Sequence, residues 1–351
     1  MAITNFPNGV FASPLIGGGS SDVFTGLGNA VFYVDGDNGN DVNDGKSPEQ
    51  ATATIQQAVT LAAAVNAEYK GGSTVYIKAK ALTDYTGDPT SYAETIIIPF
   101  TGGERMRLVG CGTGRTQGGL PQIKIGAGST AMITVRAPGC SIENLGINGV
   151  SSTGGGILLD DDSAAKSAFG TTIDNCHFKN CVGTTATDCR TGGAIMWPAV
   201  GNAWQVSITN NRFYKNVGDI TMLGNSTNTR PQDILIQGNQ FSGYAAYTDC
   251  NIWAGGGGGY GSVIIDSNIF GQLPAIGSGS IARYMDLTGT LSGMVTRNYF
   301  GAQASTSGGT TMTWLAAGTA AKIPVTVHVA GNWGQCITAG ENGSISIGAD
   351  T

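Results

Sequence analysis

Three aspartates have the type and spacing that could cut a polysaccharide. Asp188 lies ten residues beyond Phe178, Asp219 six beyond Phe213, and Asp249 eight beyond Phe241. If those phenylalanines mark one position in successive repeats, the carboxylates approach one another at one turn, with Arg190 or Arg230 beside them. Glycan cleavage needs two carboxylates flanking the scissile bond, or a carboxylate-bound Ca²⁺ with a base that abstracts a proton. Asp188, Asp219 and Asp249 are thus the candidate acids. Solvated turn aspartate is the competing and preferred reading, since Asp is a common turn residue.

Other constellations carry less. The run Asp160-Asp161-Asp162 suggests Ca²⁺, but neighbours in a strand point to alternate faces and do not converge on one ion. Asp35, Asp37, Asp41 and Asp44 lack the Glu at position 12 and the Gly at position 6 of an EF-hand loop, so they read as tight-turn residues. Cys176, His177, Cys181 and Cys189 fit no zinc spacing. The seven cysteines show no CxxC pair and are expected to be reduced. His177 and His328, the two histidines, sit in strand-like phrases and read as structural. Gly255 to Gly259 has no Lys-Ser/Thr after it, so it is not a phosphate cradle. No metal and no cofactor is assigned. Trp197, Trp204, Trp253, Trp314 and Trp333, with Tyr244, Tyr247 and Tyr260, suit sugar stacking or a subunit interface, and the interface is preferred.

The elements that would position these groups repeat. A phrase of aliphatic residues, Asn, any residue and an aromatic recurs as Ile208 to Phe213, Ile234 to Phe241, Ile264 to Phe270 and Val295 to Phe300, with weaker copies at Ile173 to Phe178 and Val327 to Trp333. Phe178, Phe213, Phe241, Phe270 and Phe300 are 35, 28, 29 and 30 residues apart. A fixed period of this size means stacked supersecondary units. In a parallel stack, residues one period apart lie over one another, and an Asn amide both donates and accepts along such a column. Asn211, Asn239, Asn268 and Asn298, with Phe213, Phe241, Phe270 and Phe300, are therefore expected to form an internal structural ladder.

Composition agrees. Gly is 56 of 351 residues, charged residues are 12% and hydrophobic ones 41%, which describes a dense, turn-rich β protein. A net charge of −6 without a basic stripe argues against nucleic acid as a partner. No run of about 18 apolar residues and no leader-like start is visible, so neither membrane insertion nor export is expected. Strands from about residue 73 are too closely spaced for crossover helices, which leaves coils of strands and turns, six or seven of them after residue 148.

Residues 1–30 are rich in Gly, Ser, Asn and Pro, and read as an extended arm whose Phe6, Pro7, Val10, Phe11 and Leu15 lie on another surface. Residues 31–72 give a strand, a polar loop and a helix. Thr54 and Gln57 form a capping-box pair, and Ile55, Ala58, Val59, Ala62 and Val65 share a face. An amphipathic helix placed before a solenoid caps its open end. Residues 73–351 form the body.

The string FYVDGDNGNDVNDGKSPEQATATIQQAV resembles the N-terminal entry of pectin-lyase-fold proteins, and the repeats extend that resemblance over most of the chain. It implies an all-β, right-handed parallel β-helix. Ile3-Thr4-Asn5-Phe6-Pro7-Asn8-Gly9-Val10 resembles the start of some tailed-bacteriophage virion proteins. Together these resemblances imply a virion structural protein: a β-helical spike or capsid decoration, a homotrimer, joined through the arm to the capsid or another virion component. It would be made in the host cytoplasm, with host surface glycan as a further contact. The alternative is a tail-spike depolymerase, a lyase or glycoside hydrolase. The paired-Asp and His-Gly strings that resemblance to the hydrolytic branch implies are missing, so the expectation leans away from an enzyme.

Overall fold

The computed structural model describes residues 30–334 apart from 83–88, 113, 115–118, 127–130, 150–153, 162–165, 185–187, 200, 224–230, 243–249, 256–258, 273–282, 301–320 and 323–325. The arm residues Phe6, Pro7, Val10, Phe11 and Leu15, together with Asp249, Trp314, Tyr244 and Tyr247, lie outside the described residues. The chain coils into a parallel β-solenoid of three sheets, with ten strands in sheet A, nine in sheet B and eight in sheet C. Successive strands visit A, B and C in turn, and each pairs in parallel with the strand one coil away.

Alternation within each short strand sends one residue inward, and register then stacks those residues into columns. In sheet A the column runs Val75, Leu108, Ile142, Ile173, Ile208, Ile236, Ile265, Val295. In sheet C it runs Ile96, Ile133, Ile157, Ile195, Ile220, Ile252, Met285. All of these are buried. In sheet B, Ile123 and Ile147 give way to Phe178, Phe213, Phe241, Phe270 and Phe300, whose rings stack at 5.0, 4.9, 4.7 and 4.8 Å. Ring planes within 13° of parallel show that the stacking follows the coil repeat, and each pair adds about 0.5–1.5 kcal/mol beyond burial.

The first end of the stack is closed by one continuous segment. Strand Ala30–Val34 already belongs to sheet A, so the solenoid begins before residue 73. The polar loop lies along its free edge: Tyr33 N–H donates to Gly45 O, Asp35 N–H to Thr52 O, and Thr52 N–H to Tyr33 O. Helix α1 (Ile55–Tyr69) then buries Ile55, Ala58, Val59 and Ala62 on the core, with Val65 only partly buried. Thr54 accepts from Gln57 N–H as the sequence predicts. The reciprocal half of the capping box is replaced, because the Thr54 N–H donates to Asp41 rather than to Gln57. At the edge of sheet C, the Gln56 amide accepts from Ile97 N–H at 2.7 Å and donates to Ile97 O. At the edge of sheet B, the Glu94 carboxylate accepts from the N–H groups of Ile55 and Gln56.

Candidate functional site

The repeated Asn stands where sheet A turns into sheet B. The turn needs a left-handed residue, and Asn144, Asn175, Asn210, Gly238, Ser267, Arg297 and Gly331 all take φ between 52° and 68° there. Such a turn leaves backbone groups that strand pairing does not reach, and burial makes an unpaired group costly. The following residue supplies the missing partners. Asn239 Oδ1 accepts from the Asn211 N–H at 2.8 Å and from Asn211 Nδ2 at 3.1 Å, while its Nδ2 donates to Ile208 O and to Asn268 Oδ1. Asn268, Asn298 and Asn332 continue the pattern. Asn211 donates back to Ile173 O and accepts from the Cys176 N–H. These side chains are engaged on the inside and offer nothing to a ligand.

Outside the same corner is an arrangement the sequence reading missed. Asp266 accepts from Arg297 through both Nε (2.8 Å) and Nη2 (2.6 Å), from Thr296 Oγ1 (2.8 Å) and from Gln237 Nε2 (2.9 Å). Arg297 above all, with Gln237, Thr296 and Ser267, holds this carboxyl far below the usual range, against the opposing effect of burial. Asp174 makes a smaller version with Thr209 Oγ1 and Asn210 Nδ2. Each carboxylate clips the next coil, which is a structural role.

Of the candidate acids, Asp188 and Asp219 lie among the described residues, and Asp219 is not at the surface. Asp219 is 2% exposed, and its two oxygens accept from Asn216 Nδ2 at 2.8 Å and Asn251 Nδ2 at 2.7 Å. Burial pushes its carboxyl up to about 7, although Asn251 and Asn216 work in the other direction. Asp188 instead caps a short 3-10 turn, Cys189–Thr191, and its carboxylate pairs with Arg190 at 2.6 Å. Arg190 holds it low, burial opposes, and the Arg190 N–H assists. One acid is therefore internal and the other is turned onto its own arginine. The reason lies at the second corner, where Lys215 is left-handed and resets the alternation after Phe213. Counting residues from Phe213 through that turn does not predict which way Asp219 points.

The remaining candidates also have structural work. Asp160 is buried and paired with Arg136 and Lys166. In the loop, Asp35 accepts from the N–H groups of Asp37 and Asn38 and from Lys78, Asp37 from Ala81 N–H, Asp41 from Ala53 and Thr54 N–H, and Asp44 from Lys46 N–H. Cys176 and Cys181 lie one coil below Asn211 and Asn216, to whose Oδ1 atoms their N–H groups donate. Burial pushes the thiols of Cys181 and Cys140 up to about 12, which leaves them unreactive at neutral pH. Trp197 is buried and donates to Ala203 O, and Tyr260 is buried too, whereas Trp333 is open. Among the described residues no three metal-ligating side chains converge, and no helix is long and apolar enough to cross a membrane.

Solved structures similar to this chain include rice weevil pectin methyl esterase, at 15% identity and TM-score 0.44, covering 81% of this chain and 87% of that one. Escherichia coli ybhc is similar at 13% identity and TM-score 0.47, covering 86% and 84%. ORF18 of Geobacillus virus E2 is similar at 14% identity and TM-score 0.38, covering 79% and 58%. No family model matches the sequence, and no curated protein matches it. At these identities no activity is carried over to this chain.

Proposed function

We propose that this protein is a non-enzymatic β-helical component of a tailed-bacteriophage virion, a spike or capsid decoration that projects as a rigid rod from an attachment made by residues 1–30. The observation that carries the non-enzymatic part is the placement of Asp219: the middle acid of the candidate trio is inside the solenoid, between two Asn amides. A buried carboxyl cannot meet a polysaccharide. The virion part is supported by the resemblance of the arm to phage virion proteins. Antibody labelling of particles checks it, and labelling absent from every particle surface overturns it. Deleting residues 1–29, which stops short of the strand that begins at Ala30, is expected to leave a body with the same melting transition that no longer binds particles.

The glycan-cleaving alternative is tested separately. Incubation with host surface glycan is expected to release no reducing or unsaturated ends. Release that survives in Asp219→Asn but is lost in another variant would place a catalytic site elsewhere. The homotrimer is part of the same proposal. Its support is a column on the outer face of sheet A that reads Ser141, Thr172 and Ser207 in earlier coils and Leu235, Ile264 and Met294 in later ones. Ile264 and Met294 are exposed, and an exposed aliphatic row suits contact with further copies. A monomeric mass at micromolar concentration would count against it.

A further inference from the structure

The outer faces of the three sheets differ in what covers them. On sheet C the outward row reads Thr134, Leu158, Met196, Thr221, Trp253, Asp286. Thr134, Met196, Thr221 and Asp286 are buried, and the turn Cys189–Thr191 lies against this side, where the Thr221 hydroxyl donates to Cys189 O. Sheets A and B are open in the upper coils. There the outward row of sheet A reads Leu235, Ile264, Met294, His328, and that of sheet B reads Gln240, Ile269, Tyr299, Trp333. Each residue of the first row is followed five positions later by one of the second, so every coil presents one side chain on either flank of the same corner.

Ile264, Met294, Ile269, Tyr299 and Trp333 are 37%, 40%, 44%, 42% and 72% exposed. Together they leave on the order of 500 Å² of apolar side chain in water, a patch of the size that marks a contact site. Lower down the same rows offer no such surface. Sheet A carries Ser141, Thr172 and Ser207 there, and Gln122 and His177 on sheet B are buried.

Two apolar flanks in the same coils select a symmetry. A two-fold axis along the solenoid sets one flank on its own copy and leaves the other in water. A three-fold axis sets unlike faces together, coil against coil at one height, and closes after three copies. We propose that the corner between sheets A and B faces the three-fold axis of the homotrimer, so that in the coils from Leu235 to Trp333 the outer face of sheet A on one copy packs on the outer face of sheet B on the next. This rests on the homotrimer reading above and adds which surfaces meet.

The residues so brought together are matched in kind. Ile264 meets Ile269 of the next copy, and Met294 meets Tyr299, a favourable contact of a thioether with a ring. At the corner itself the Arg297 guanidinium is paired with Asp266, so three corners approach without bare like charges. At the far rims Lys215 follows sheet B, and Asp233 stands exposed near the start of sheet A. Both belong to one turn of the solenoid, so they lie within a strand spacing of each other in height. Each rim therefore meets the opposite charge on the neighbouring copy.

The test uses the full chain with Cys111→Ser and Cys336→Ser, since Cys111 is exposed. Adding Met294→Cys and Tyr299→Cys together is expected to give, under mild oxidation, a covalent species of three chains on a non-reducing denaturing gel, while either change alone gives single chains. Linked pairs from a single variant would mean that like faces meet, and a ladder beyond three would mean an open assembly. Both overturn the proposal, as does a double variant that stays unlinked. Ile264→Asp with Tyr299→Asp puts unpaired carboxylates into the contact and is expected to weaken association by about tenfold or more, read as mass against concentration at unchanged circular dichroism. If the fold suffers, Ile264→Ser with Tyr299→Ser is read instead. A trimer that survives these changes overturns the corner and leaves the homotrimer standing. A monomeric mass for the unaltered chain overturns both, and would leave the strip to a different protein or a glycan.

Discussion

The two corners that flank sheet B solve the same problem differently. Between sheets A and B, coil after coil places Asn in the interior, and neutral amides join end to end from Asn211 to Asn332. Between sheets B and C, Cys181 is followed one coil later by Asn216, and the carboxylate of Asp219 accepts from both Asn216 and Asn251 and so joins them. An identical residue in every coil gives a column whose donors and acceptors cancel without charge. The mixed corner closes its network with a buried acid, which makes it sensitive to protons.

The comparison breaks most sharply at the regular corner. Asn239→Ala removes the acceptor of the Asn211 N–H and the donor to Ile208 O, and is expected to cost about 3–6 kcal/mol, read by chemical denaturation. The mixed corner is tested by pH. The Asp219 carboxyl is raised to about 7 from 3.8, so the folded state holds its proton where the unfolded chain has lost it. Stability should therefore fall as pH rises from about 4 to 7, by on the order of 2–4 kcal/mol, and stay level above. Asp219→Asn is expected to flatten that slope; a slope that persists would assign it to another group.

Asp266 provides the opposite sign. Its carboxyl is held low in the folded state, so its contribution is present above the unfolded value of 3.8 and is lost as pH falls through the folded one. Asp266→Asn should remove about 1–2 kcal/mol at pH 7 and less in acid, measured as melting against pH. Asp188→Ala, which removes an exposed ion pair with its neighbour Arg190, is expected to change stability by about 0–1 kcal/mol.

What was legible in the sequence follows from the same contrast. The Asn and Phe columns are visible because stacking favours one residue type at one position, and the later coils repeat that type, Asn from Asn211 and Phe from Phe178. The left-handed position before each ladder residue was within reach at Asn144, Asn175, Asn210 and Gly238, since Asn and Gly tolerate positive φ. Ser267 and Arg297 obscured it, because their conformation is imposed by the coil and not by local preference. Asp219 was misplaced because the second corner has no such repeat: Asn180 and Lys215 share the turn conformation but not the residue type. The outward residues Ile264, Met294, Ile269 and Tyr299 gave no sequence signal of a shared surface, since their alignment exists only through register across coils.

A stacked sheet ends in unpaired N–H and C=O groups, and such an edge can recruit another strand. Here the loop bonds along Ala30–Val34, Gln56 occupies both backbone groups of Ile97, and the carboxylate beyond Ala93 is committed to the helix. The solenoid is thereby closed at this end to templated addition as well as to water. Replacing Gln56 by Leu would keep the hydrophobic lid while reopening a site for end-to-end growth, so light scattering would rise before any change in melting.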